Sequence, residues 1–191
     1  MDTLKRRDWL VRVLGALGLV GLTRAGVRAQ AKPSFAEEFG ADWQTAKAYT
    51  LEVANAMPAE KYDFTPGAAM RGFADLMVHI GQAQYGIVSA VRGGQPPAQM
   101  QPPAEKTKEA VVAYLTASFD YVAESVAQVN EARTQEVIKL FGGRLEMPVW
   151  KVFHFVRDHT THHRAYGLPY LRLSGVEPPR YRFAGTRPSP V

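Results

Sequence analysis

Residues 158–167 read DHTTHHRAYG, and three of the chain's five histidines fall within five of these positions. An imidazole can ligate a metal, carry a proton or hydrogen-bond inside a core, and spacing helps to separate these roles. At about 100° per residue, with His159 set at zero, His163 falls at about 40°, His162 at about −60° and His154 at about −140°. Val152 and Tyr170 (about 20°), Val156 (about 60°), Val149 and Gly167 (about 80°) and Phe153 (about 120°) define an apolar face centred at about 65°. The wheel therefore puts His163 inside that face and His159 at its edge. His162 lies outside it, and His154 is on the far side with Lys151 and Asp158.

An i, i+4 pair facing inward has chemical consequences. Its Cβ atoms lie about 5–6 Å apart, so two nitrogens can reach one ion at about 2.0–2.1 Å each. A third imidazole, His79 in LMVHI, sits on the flank of another apolar helix face, in the sector shared by Leu76 and Ala83. A lone histidine on such a flank is more often a hydrogen-bonded core residue than a ligand. Two neutral imidazoles turned toward a core need partners in either case. The pair is not an HExxH metalloprotease motif, because Thr160 stands where the glutamate would be.

The elements that must hold these histidines are helical. Phe39, Trp43, Ala46, Thr50, Val53 and Met57 recur at helical spacing and predict a helix from about Phe35 to Met57, ended by Pro58 and the Pro66-Gly67 turn. A second helix, about Gly72 to Val91, buries Phe73, Leu76, Met77, Ile80, Ile87 and Val91 and stops at Arg92-Gly93-Gly94. QPPAQMQPP (95–103) is a proline-rich connection. A third helix begins near Thr107 as N-cap and carries Val111, Leu115, Phe119, Val122, Val126 and Val129. Residues 134–147, around Gly142-Gly143, read as a small hairpin or loop. The last helix starts near Pro148, contains Pro169 as a point of kinking, and stops at Gly175. Four amphipathic helices without long strands predict an all-α four-helix bundle with a short hairpin or loop before the last helix. Neither a P-loop, nor a dinucleotide-binding glycine pattern, nor a Gly-x-Ser-x-Gly elbow interrupts it.

Residues 1–31 read as a separate, cleavable export signal. A charged start, an apolar run from Val13 to Leu22 and Ala29-Gln30-Ala31 form the three parts of a signal peptide, and the run is too short for a permanent span. KRRDWLV (5–11) resembles the twin-arginine export signal, with Lys5 for the usual Ser/Thr and Trp9 for the usual Phe. That resemblance implies passage of an already folded chain through the twin-arginine machinery to the periplasm or another extracytoplasmic compartment. Cleavage after Ala31 leaves residues 32–191 as the mature domain. An ordinary secretory signal containing a chance arginine pair is the competing reading.

Composition narrows the chemistry further. With 191 residues and 46% hydrophobic content, the chain is long enough to bury one sizeable core. It has no cysteine, which removes disulfides, thiolate nucleophiles, cysteine zinc sites and iron–sulfur clusters. The net charge of +5 belongs mostly to the signal, since residues 32–191 hold 17 basic and 16 acidic side chains. Only Arg180, Arg182 and Arg187 gather near the C-terminus, so nucleic acid is not an expected partner.

The mature chain resembles the DinB/YfiT-like superfamily of four-helix-bundle proteins over about residues 35–181. The resemblance rests on AMPAEKYDFTPGAAMRGFADLMVHIGQAQ (56–84), LFGGRLEMPVWKVFHFVRDHTTHHR (140–164) and YLRLSGVEPPRY (170–181). It implies a divalent metal held by His79 on the second helix and by His159 and His163 on the fourth. Imidazole suits zinc, nickel, copper and iron alike. Family members commonly continue HHR with Gly-Gln, whereas Ala165 and Tyr166 follow here.

Two kinds of function are compatible with such a site. One is a metal-dependent transferase or hydrolase acting on a small molecule, thiol-linked as the resemblance implies for some relatives. The other is a non-catalytic metal- or ligand-binding bundle of the cell envelope, as monomer or homodimer. A tyrosine or carboxylate aimed at an open coordination position favours the first, and a closed site the second. Asp75 and Glu52 are the candidate supporting or acid–base groups, although charged residues beside helix faces are usually solvated. Trp43, Tyr85 and Tyr166 are candidate pocket walls, although aromatics at helical spacing are more often core.

Overall fold

A computed structural model describes residues 32–94 and 97–183. The expected signal peptide and its cleavage point lie outside these residues. The described chain is all-α with one small hairpin. Four long helices form the bundle: α1 (Phe35–Ala56), α2 (Phe73–Ser89), α3 (Lys108–Ala127) and α5 (Val149–Leu173). Between α3 and α5 lie the short helix α4 (Glu131–Thr134) and the strands β1 (Val137–Leu140) and β2 (Leu145–Pro148). The strands pair antiparallel, Val137 opposite Pro148 and Leu140 opposite Leu145. None of the described helices is long and apolar enough to cross a membrane.

Each helix starts where local chemistry lets it. Ser34 caps α1 through its hydroxyl, and the Glu37 carboxylate reaches back to the Ser34 N–H at 2.7 Å, completing a capping box. Thr107 caps α3 through Ala110 N. Pro148 precedes the first turn of α5, where its missing N–H costs nothing. The helix then runs on through Pro169, which cannot donate to the carbonyl of Ala165. At the hairpin tip, Phe141 and Gly142 both take positive φ (53° and 68°). Glycine adopts that conformation freely, while Phe141 does so at a steric cost.

The apolar stripes all turn to a common core. Trp43, Val53, Met57, Phe73, Met77, Ile80, Leu115, Phe119, Val122, Val152, Phe153 and Val156 are buried there. In the bundle α1 packs on α3 and α5, and α2 packs on the same two helices. The α2–α3 contact is close at Gly81, where an added Cβ would stand 2.7 Å from Cε1 of Tyr114. Polar ties then fix the spacing. Trp43 Nε1 donates to the Phe119 carbonyl at 3.0 Å, linking α1 to α3. Gln84 of α2 donates to Thr160 Oγ1 of α5 at 3.2 Å, and its Oε1 accepts from Ser118 Oγ of α3 at 2.7 Å. This buried amide joins three helices one to two turns from the histidines.

Candidate metal centre

Two helices deliver the imidazoles. His79 comes from the middle of α2, and His159 and His163 lie one turn apart on α5, which packs against it. The structure brings all three together, with one nitrogen from each lying within 4.8 Å of the others. The ring centroids are 4.3 Å apart for His159–His163, 4.4 Å for His79–His163 and 5.1 Å for His79–His159.

The donor set fits a divalent ion. His79 Nε2 and His163 Nε2 are 3.2 Å apart, close to the separation of about 3.3 Å for two nitrogens on one tetrahedral ion. His159 Nδ1 is buried without a hydrogen-bond partner among the described residues, and such a group is costly unless something satisfies it. Burial, first of all, holds His159 and His163 down at about pKa 4 and lowers His79 as well; neighbouring imidazoles and the Arg71 cation add to it. All three are therefore neutral at neutral pH, the state in which imidazole ligates.

The other two histidines separate from the group. His162 is exposed, as the wheel places it, with its ring 4.9 Å from that of His163. His154 departs from the expected far-side position: it is only half-exposed, its ring set edge-on to Phe35 and Phe39 of α1 at 6.0 and 5.8 Å. The N-terminal turns of α1 wrap over that flank of α5.

The remaining candidates divide. Asp75 pairs with Lys106 and Glu52 with Arg182, so neither carboxylate joins the imidazole group. Trp43 is core, and Tyr85 lines a different cavity between α2 and α3. Tyr166 does stand by the site, its ring 6.2 Å from that of His163. It borders a cavity of about 200 Å³ together with His163, Arg71, Met70, Leu76 and Tyr170. Arg71 was not singled out by sequence, since it lies in an aperiodic segment just before α2. It is exposed, and its backbone carbonyl accepts a 3.0 Å bond from the Tyr170 hydroxyl of α5. The cavity thus sets three things side by side: an imidazole of the group, an exposed cation and a phenol.

Comparison with known proteins gives a consistent picture of the fold. A model described as DinB family matches residues 31–187. A DinB-like protein from Bacillus cereus is similar in structure, with TM-score 0.67 and 17% identity over 76% of this chain and 97% of that one. A DinB-like protein from Bacillus subtilis gives 0.64 at 13% identity, over 78% and 99% of the two chains. A conserved protein from Enterococcus faecalis gives 0.60 at 14% identity, over 74% and 98%. No curated protein matches the chain.

Proposed function

The chain belongs to the DinB family, and from that premise we propose that it binds a divalent metal through His79, His159 and His163 and presents it to a small-molecule ligand. The observation that carries this reading is the convergence of three neutral imidazoles, one with a buried, unsatisfied nitrogen. Zinc, nickel and iron are the candidate ions, since an all-imidazole set does not choose among them. When bound, the ion supplies a Lewis-acid position that polarises a ligand and favours its deprotonated form.

The chain's own groups suggest what would be done there. The three imidazoles would hold the ion, and the cavity beside His163 would give a ligand access to it. Arg71 offers positive charge to an anionic or thiolate ligand entering that cavity. The Tyr166 hydroxyl can donate a hydrogen bond or a proton to it, and Leu76 and Met70 give an apolar wall. This open, tyrosine-bordered geometry supports a metal-dependent transferase or hydrolase, thiol-linked or not. The second reading, a non-catalytic metal- or ligand-binding bundle, is favoured by Asp75 and Glu52 being engaged in ion pairs away from the group. The proposal includes export: KRRDWLV would send the folded domain through the twin-arginine route to an extracytoplasmic compartment.

Elemental analysis of protein recovered from its export compartment tests the core of the reading. Near-stoichiometric divalent metal is expected, lost in His163→Ala and kept in His154→Ala and His162→Ala. Loss in either of the last two instead would overturn the ligand assignment. A thiol-transfer and hydrolysis screen of the metal-loaded protein, with Tyr166→Phe alongside, distinguishes enzyme from binding protein. Changing Arg6 and Arg7 together to Lys should stop export, and unaffected export would assign the secretory route.

A further inference from the structure

Next to His163 in sequence, Arg164 points into a different part of the bundle. It is 6% exposed, stacked over Tyr49 of α1 with its guanidinium carbon 4.4 Å from the ring centroid. Of its five N–H groups, one is engaged among the described residues, Nη1 to Thr50 Oγ1 at 3.3 Å. It forms no ion pair with a described carboxylate, although it lines a cavity of about 230 Å³ between α1, α5 and residues 181–183.

Two other arginines line that cavity, and both are matched. Arg157 pairs with Asp42 at 2.9 Å, and Arg182 pairs with Glu52, its Nε 2.9 Å from Oε2. One lining carboxylate, Asp158, has no ion pair among the described residues, but it is exposed. Burial separates the two unmatched charges: Asp158 is exposed to water, while Arg164 is largely withdrawn from it, so an anion in the cavity would meet a poorly hydrated cation. Thr45 of α1 and Thr161 of α5 line the cavity as well, with Thr45 Oγ1 donating to the Ala41 carbonyl at 3.3 Å.

We propose that this cavity is a binding site for a small oxyanion group, a carboxylate or phosphate, with the Arg164 guanidinium as its central donor. A planar guanidinium suits either group through paired N–H bonds. The cavity shares no lining residue with the imidazole group or the cavity beside it. The site therefore does not depend on the metal reading.

Calorimetry and thermal unfolding of the full chain, with sodium phosphate or acetate against chloride at equal ionic strength, test it. A saturable response to phosphate, acetate or both is expected, with chloride inert, and the more effective anion identifies the ligand class. Thr45→Glu supplies a carboxylate from within. It should raise the midpoint of unfolding without added anion and weaken anion affinity about tenfold or more. Arg164→Met should abolish the response; should that variant not fold, Thr45→Glu carries the test alone. No saturable response, an undiminished response in Thr45→Glu, or a response lost in His163→Ala instead would overturn the proposal.

Discussion

His159 owes its properties to what surrounds it. Burial holds its pKa at about 4, against an ordinary value of 6.5. A proton therefore binds the unfolded chain before it binds the folded one. The contribution of this imidazole to the stability of the metal-free protein should be complete above about pH 6.5, fall as pH drops toward 4, and level off below it. Urea unfolding across that range checks the direction, and His159→Gln should decline less steeply. Beside it Thr160 has a different task, accepting from Gln84 and donating to the Val156 carbonyl. Thr160→Val keeps the shape and leaves the Gln84 amide without that acceptor, which should cost about 1–3 kcal/mol. Metal stoichiometry should survive, since no ligand changes. The two neighbours differ in how well sequence reveals them. His159 and His163 stand out because a polar residue at a core-facing phase is conspicuous on a wheel. The Gln84–Ser118–Thr160 clamp does not, because its members come from three helices and each alone looks like a polar interruption.

At the scale of elements, the helices were legible to within a residue or two at most ends, and the hairpin to its general place. Periodicity reports the buried side of a helix well because the core selects it. It says less about which neighbour covers a flank, and His154 shows the limit: its phase is outward, yet α1 closes over it. Ion pairs escape sequence for the same reason. Asp75 meets Lys106 31 residues away, and Glu52 meets Arg182 130 residues away. The α2–α3 contact is a further case, since Gly81 in a helix interior reads as a weak point. The structure gives it a purpose, because a methyl group there would lie 2.7 Å from the Tyr114 ring. Gly81→Ala improves helix propensity but overpacks the contact, and the second effect should win, destabilising by about 1–3 kcal/mol. Unfolding midpoints in urea would show it, and Tyr114→Ser should relieve the clash in the double variant.

The whole molecule places its candidate ligands so that binding couples to stability. His79 belongs to α2 and the other two to α5, so an ion held by all three ties two non-consecutive helices across their interface. Such an ion binds the folded chain and finds no preformed site in the unfolded one. At a free concentration 100 times the dissociation constant, it adds about 2.7 kcal/mol. For a domain of this size that corresponds to a rise of roughly 5–10 °C in Tm. Adding zinc or nickel to metal-free protein should produce that rise, and EDTA should reverse it. His163→Ala should remain near the metal-free value whatever is added, while His162→Ala should respond like the wild type. Hydrogen exchange localises the effect: among amides that exchange by local opening, added protection should concentrate in the middle of α2 and the centre of α5, while α1 and α3, which contribute no ligand, should change least. An absence of added protection at the locally opening amides of α2 and α5 would mean that the ion acts elsewhere than across the α2–α5 interface.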